Sequence, residues 1–230
     1  MVADDGSGSA TRELVERCAR TLPCPLLHAW QEHAGFRLTR LRNLAIARSR
    51  GDYLVFVDGD MVLHREFVAD HRRLARRGCW TQGVRLRLDD TLSTRLMAAP
   101  LEPPRCTARG LGGLRRLYGL HAASLQAPLR RLANPLIAIK GCNQGFWRED
   151  LVRANGFDEQ IEGWGPEDKE LCARLRHAGV ARQTLLFGGI AWHLEHPPAG
   201  RERRAANEAV LVATLAQRRV RCVRGLDAHL

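Results

Sequence analysis

An α/β fold, with a mixed and mostly parallel sheet flanked by helices, is predicted by three features of the sequence. Short apolar runs alternate with helix-compatible stretches from Val2 to Leu86 in the order β-α-β-α-β-α-β, the pattern of strands joined by crossover helices. Tyr53-Leu-Val-Phe-Val57 is a continuous apolar run after the turn pair Gly51-Asp52, which reads as an interior strand covered on both faces. It runs into Asp58-Gly59-Asp60, at the carboxyl end of a strand, where open α/β sheets bind ligands.

Each element follows from local pattern. Val2-Ala-Asp-Asp-Gly-Ser-Gly reads as the end of a strand and its turn, and Thr11 to Arg20 as a helix. No strand-length apolar segment precedes that turn, so the first strand is expected to be missing. Leu26 to Trp30 is a second strand, and Phe36 to Ser49 a helix with Leu38, Leu41, Leu44 or Ala45 and Ala47 on its apolar side. After the Tyr53 strand come a helix from Arg65 to Arg77 and a strand from Cys79 to Leu86. Pro100, Pro103 and Pro104 mark a loop, and the leucines from Leu114 to Leu132 suit amphipathic helices. Leu136 to Lys140 reads as a strand ending in Gly141-Cys-Asn-Gln-Gly145. Pro166 suits a first helical position, Glu167 and Asp168 the first turn, and Gly179 the stop, with Leu171, Leu175 and Ala178 as the buried stripe. Two more strands, Gln183 to Phe187 and the run into His193, precede an arginine-rich helix from Arg201 to Arg224.

Composition narrows the function. The chain has 230 residues, 45% of them hydrophobic, enough to bury a core. Its start has neither the basic region nor the apolar core of a signal peptide, and no apolar run reaches membrane-spanning length. A cytoplasmic protein is expected, at most peripheral to the inner face of a membrane. The seven cysteines are scattered, with no C-x-x-C pair, and read as reduced thiols. A formal charge of +11 suits a polyanionic partner. From Pro103 to Arg148 there are eight cations and no acid, which is either a solvated face or a contact with anionic lipid.

The acids carry the chemistry. Asp58 and Asp60 share one face of an ideal strand, and Gly59 lets the backbone bend between them. Two such carboxylates are either a solvated strand-end turn or a site for Mg²⁺ or Mn²⁺ carrying a diphosphate. Glu167 and Asp168 are either helix-capping acids or catalytic ones. Trp164 between two glycines favours the second reading, because an exposed ring beside carboxylates is a way to hold a sugar. His193, after a short apolar run, is placed to be a metal ligand, with His196 as the alternative.

Taken in order, Asp4-Asp5-Gly6-Ser7, Asp58-Gly59-Asp60, Trp164-Gly165-Pro166-Glu167-Asp168 and His193 resemble a family 2 glycosyltransferase of the GT-A fold. The C-terminal segment is similar to that of galactosyltransferases and chondroitin-type polymerases. The resemblance runs from Val2 to about Pro198. It implies one catalytic domain over 1–200, with a nucleotide-binding half at 1–88 and an acceptor-binding half at 134–198, followed by a basic helix at 201–230. It implies that Asp4, Asp5 and Arg37 contact the nucleotide, that Asp58 approaches ribose and metal, and that Asp60 and His193 hold Mn²⁺ or Mg²⁺. Asp168 is implied as the base and Glu167 as a ligand of acceptor hydroxyls. Trp164 and Gly165, with Gly141, Asn143 and Gln144, are implied to line the sugar and acceptor sites. The expected partners are a nucleotide-sugar donor, UDP-sugar foremost, and a glycan or lipid-linked acceptor. No nucleic acid is expected. Two other classes compete: a basic polyanion-binding protein, which gains nothing from the four acids, and a metal-dependent nucleotidyl enzyme, which does not need the Trp-Gly-Pro-Glu-Asp stretch.

Overall fold

A computed structural model describes residues 1–98, 104, 108, 110–111, 114–122, 138–197, 200 and 202–230. The chain divides into two compact units, one of Met1–Asp52, Arg148–Gly179 and Ala199–Leu230, the other of Tyr53–Trp147 and Val180–Pro198.

In the first unit, β1 (Val2–Asp4) pairs in parallel with β2 (His28–Trp30), Asp4 lying opposite Trp30, and α1 (Ser9–Thr21) forms the crossover between them. The strand end expected before the Asp4 turn is therefore β1. Helix α2 (Leu38–Arg48) buries Thr39, Leu41, Arg42, Asn43 and Ile46, whereas Leu44, Ala45 and Ala47 are only partly covered. The buried face is thus rotated from the purely apolar one that the sequence predicts. The reason is Asn43: its Nδ2 donates to the Phe157 carbonyl at 2.8 Å and to Glu159 Oε1 at 2.9 Å, and its Oδ1 accepts from the Phe157 N–H at 2.8 Å. A fully satisfied amide tolerates burial that an unpaired one would not.

Three further helices complete this unit: α5 (Arg148–Ala154), α6 (Glu167–His177) and α7 (Arg204–Ala216). Pro166 caps α6, and Gly179 follows it with φ +84°, a conformation glycine adopts without strain. The buried face of α6 is continuous from Leu171 to Leu175, and Ala178, expected on the stripe, is exposed. Among these residues Arg174 is buried with its guanidinium on both carboxylate oxygens of Glu170, at 2.7–3.0 Å, and Thr214 of α7 donates to Glu170 Oε1 at 2.8 Å. A pair of buried charges is tolerated when their remaining hydrogen-bonding capacity is used in this way.

The second unit holds two sheets. One runs β3 (Tyr53–Val57), β7 (Asn143–Trp147), β5 (Cys79–Gln82), β8 (Ala181–Thr184), and the other β4 (Met61–Leu63), β9 (Ala191–His193), β6 (Arg85–Arg87). Helices α3 (Phe67–Leu74) and α4 (Asp90–Ala98) flank them. Over the described residues the strand pairing is mixed, three pairs parallel and three antiparallel. Val62, Val84, Leu86, Leu92, Ile190 and Trp192 are central members of its core.

Three predicted elements move. The Tyr53 strand ends its sheet, paired with β7 alone among described strands, and all five of its residues are half-buried; the interior strands are β7 and β5. The expected strand from Cys79 to Leu86 breaks at Gly83 into β5 and β6, which belong to different sheets. A Cβ at Gly83 would lie 2.2–2.3 Å from the Asn143 amide, and the Gly83 N–H donates to the Asn143 carbonyl at 2.9 Å. Residues 138–140 are irregular and Leu136 and Ile137 lie outside the described residues, so the strand expected there is replaced by β7. Sequence pattern conceals β7 because its buried residues include amides rather than aliphatics. The amphipathic helices expected between Leu114 and Leu132 and the arginine-rich 103–148 stretch, read as a solvated face or a contact with anionic lipid, lie only in part within the described residues, of which Leu114–Gly119 is a 3-10 helix. No helix among the described residues is long and apolar enough to cross a membrane.

Candidate active site

The second unit brings together three of the predicted ligand candidates. Strand β4 pairs antiparallel with β9 so that Met61 faces His193, and the Leu194 N–H donates to the Asp60 carbonyl at 2.9 Å. This register sets Asp60, at the turn between β3 and β4, against the end of β9. His193 Nε2 lies 3.1 Å and His196 Nε2 2.9 Å from Asp60 Oδ2. Both histidines between which the sequence left the choice open therefore lie against Asp60. Asp58 is outside this group.

Burial raises the affinity of Asp60 for a proton, but the hydrogen bond and charge of His193 and the charge of His196 outweigh it and hold the carboxyl below its ordinary range. Asp60 Oδ1 is buried without a hydrogen-bond partner. One carboxylate and two imidazoles converging within 4.8 Å, with a buried carboxylate oxygen left over, fit a divalent cation. Imidazole ligands with a hard carboxylate suit Mn²⁺ better than Mg²⁺, which prefers oxygen and water.

A second group of the same composition lies in the same unit. His64, Asp70 and His121 also bring three ligand atoms within 4.8 Å of one another. Here, however, the buried Asp70 carboxylate accepts from His121 Nε2 at 2.9 and 3.1 Å, from the Gly189 N–H at 3.0 Å and from Arg73 Nη2 at 2.7 Å. His64 Nδ1 accepts from the Glu66 N–H at 3.2 Å, which fixes the remaining hydrogen of a neutral ring on Nε2. This group is already satisfied as a hydrogen-bonded cluster.

The first unit holds the other predicted residues. Asp4 Oδ1 accepts from the Ser7 N–H at 2.8 Å and Oδ2 pairs with His28 Nε2 at 2.9 Å. Burial acts to raise its pKa, and the bonds from Ser7 and His28 reverse that and lower it. Asp5 Oδ2 accepts from the Arg37 N–H at 3.0 Å and Oδ1 from Gln31 Nε2; Gln31 Oε1 in turn accepts from Arg40 at 2.7 Å. The turn between these acids and Ser7 requires glycine: Gly6 has φ +90° and a Cβ there would lie 2.4 Å from that of His33. Asp5 and Arg37, 32 positions apart, are thus joined, and Gln31, which sequence pattern gave no reason to single out, holds both.

Glu167 and Asp168 stand in the first turn of α6. Glu167 Oε1 is 3.3 Å from Arg42 Nη1, and Asp168 Oδ1 accepts from the Lys169 N–H at 2.7 Å. The preceding loop presents Trp164 with its side chain partly open to solvent, and Arg204 lies 6.0 Å from its ring centroid. In the second unit Asn143 corrects an expectation. Its Nδ2 donates to the Val84 and Gly189 carbonyls at 3.0 and 2.8 Å, and its Oδ1 pairs with His71 Nε2 at 3.0 Å. An amide with both hydrogens taken and no exposure holds the sheets rather than a sugar. Gln144 is equally buried, its Nε2 on Gln82 Oε1 at 3.2 Å, and Gly141 lies in the turn before β7.

The family described as "Glycosyl transferase family 2" matches residues 1–102, and the family described as "N-terminal domain of galactosyltransferase" matches residues 124–197. A chondroitin synthase from Escherichia coli is 27% identical over 95% of this chain and 33% of its own length, so the chain spans about a third of that relative. In fold it is similar to a mannosyltransferase from Pyrobaculum calidifontis in complex with GDP-Man and Mn²⁺, with TM-score 0.56, 20% identity, and 93% of this chain and 53% of that one covered. It is also similar to GalNAc-T7 with UDP, GalNAc and Mn²⁺, with TM-score 0.56, 14% identity, and 84% and 37% covered. These neighbours are GT-A glycosyltransferases.

Proposed function

We propose, for a chain that is a family 2 glycosyltransferase with a galactosyltransferase-type C-terminal segment, a divalent-metal-dependent, inverting transfer of a sugar from a nucleotide-diphosphate donor, UDP-sugar foremost, to a hydroxyl of a glycan or lipid-linked acceptor. The observation that carries this reading is the Asp60, His193 and His196 group, with its unpartnered carboxylate oxygen.

Asp60, His193 and His196 would hold the cation. When bound, Mn²⁺ or Mg²⁺ supplies Lewis-acid neutralisation of the departing diphosphate. Asp5 and Arg37, fixed to each other through backbone and carboxylate, serve the nucleotide, with Asp4 bracing the turn and Asp58 reaching the ribose. Trp164 offers its partly exposed ring to a sugar face, and Glu167 with Gly165 orients acceptor hydroxyls. Asp168 takes the proton of the acceptor hydroxyl as that oxygen bonds to the anomeric carbon. The bond from that carbon to the phosphate oxygen breaks with its electron pair leaving on the nucleotide diphosphate, so one displacement inverts the centre. No covalent intermediate is required, and the buried cysteines need take no part. Burial pushes the thiols of Cys142 and Cys222 up to about 11 and about 12, which keeps them protonated and unreactive.

The experiment is release of nucleoside diphosphate from a panel of nucleotide sugars with Mn²⁺ or Mg²⁺, on the full chain and on Asp60→Ala. Turnover of one donor, abolished by chelation and by the substitution, is expected. Turnover that survives both would refute the metal role; absence of turnover with every donor would refute the reading as a whole.

A further inference from the structure

We infer that Asn207, on helix α7, is a positioning residue that acts on acceptor binding through the Trp164 loop, although α7 lies beyond the segments either family match covers. The inference rests on the reading of Trp164 as a sugar-stacking ring.

The loop from Glu162 to Gly165 has no regular structure of its own. A loop that presents an aromatic ring to a ligand must be held from outside, or ordering it would oppose binding. Asn207 supplies that hold. It is 1% exposed, and its amide donates both hydrogens into the loop, to the Glu162 carbonyl at 2.7 Å and to the Trp164 carbonyl at 2.9 Å. The two bonds straddle Gly163, whose φ of +72° makes the bend, so the carbonyl on either side of the bend is fixed. Gly165 completes the fit: a Cβ there would lie 2.8 Å from Asn207 Nδ2 and from Ile161 Cγ2, so glycine is needed for the loop to approach α7 this closely. The same turn of the helix adds Arg203, 3.5 Å from Glu162, and Arg204 over the Trp164 ring.

The helix is also tied to the acids. Thr214, two turns beyond Asn207, donates to Glu170 Oε1, and Glu170 lies one turn from Glu167 in α6. One rigid element therefore touches both the loop that carries Trp164 and the helix that carries Glu167 and Asp168. Helix α7 sets the distance between ring and carboxylates, which is the geometry an acceptor sugar would need.

The test compares wild type, Asn207→Ala, Asn207→Ser and Trp164→Ala, using p-nitrophenyl glycosides of a monosaccharide panel as acceptors. The expected result for Asn207→Ala is an acceptor KM raised about tenfold, with kcat and acceptor-free donor hydrolysis changed less than about threefold. Asn207→Ser, retaining one donor, is expected to fall between. Equal loss in hydrolysis and transfer, or an unchanged acceptor KM, would overturn the inference. Hydrogen exchange gives a readout that needs no turnover: amides of residues 161–168 are expected to exchange about tenfold faster in Asn207→Ala, with the rest of α6 unchanged. Unchanged exchange would overturn the inference even in an active enzyme. An inactive wild type with accelerated loop exchange would sink the functional reading and leave the Asn207 restraint standing.

Discussion

Two groups of one aspartate and two histidines occupy the same structural unit, and they differ in what their carboxylates have left to offer. At Asp60 both imidazoles approach one carboxylate oxygen and the other oxygen is buried with no partner. At Asp70 both oxygens are in use, by a backbone N–H, a guanidinium and one imidazole, and the second imidazole is turned by a backbone donor. Residue types and mutual distance do not separate these groups, since in each the three ligand atoms lie within 4.8 Å of one another. What separates them is unsatisfied hydrogen-bonding capacity: a ligand needs a free lone pair, and a structural aspartate has none to give.

The largest expected effect breaks the comparison at its first member. Asp60→Ala should lower metal-dependent nucleotide release by about a thousandfold or more, with little change in thermal stability, read by donor hydrolysis beside a melting curve. Asp70→Ala should do the opposite. Leaving the buried Gly189 N–H and the more exposed His121 and Arg73 side chains without their acceptor should cost about 2 kcal/mol of stability, read by denaturant unfolding, while Mn²⁺ affinity in the folded fraction stays within about twofold. Next in size, His193→Ala and His196→Ala should each weaken Mn²⁺ binding about ten- to a hundredfold, whereas His64→Ala should leave it unchanged. Equal loss at His64 and His193, measured by calorimetry with Mn²⁺ alone, would show that both groups take metal.

The smallest effect concerns pH. His71, the neighbour of Asp70, is buried and its pKa is depressed to about 4, with burial the main cause. Its folded-state pKa lies below the ordinary value of 6.5, so protonation opposes folding. The stabilisation is whole above about pH 6.5 and is lost as pH falls toward 4, amounting to at most about 3 kcal/mol. His71→Gln should flatten that acid limb of the stability curve, and a limb of unchanged slope would remove His71 as its source.

How far the sequence foretold all this differs by element. The α/β alternation and the α6 start at Pro166 are local-pattern features and are found where pattern places them, whereas the grouping of Asp60 with His193 came from family resemblance, and the structure sets the two side by side. Asp5 and Arg37 were reached only through family resemblance, and the structure joins them. Strand β7 was missed because Asn143, Gln144 and Gly145 carry no apolar periodicity; their burial depends on partners in β5, in the break between β5 and β6 and in the loop before β9, which no local window contains. For the same reason Asn43 turns the buried face of α2, and Gln31 and Asn207 give no signal in the sequence, since an amide becomes structural only through the carbonyls it meets. The pair His193-x-x-His196 was legible as spacing, but that both rings turn toward Asp60 depends on the register of β4 against β9.

That register also has a meaning in time. Strand β4 leaves the ribosome about 130 residues ahead of β9, its partner. At about 5–20 residues per second the ribosome takes on the order of ten seconds to supply it. Throughout that interval Asp60 is on a chain that lacks both histidines. A nascent or prematurely ended chain therefore cannot assemble the proposed cation site, whose three side chains meet only once β9 is in place.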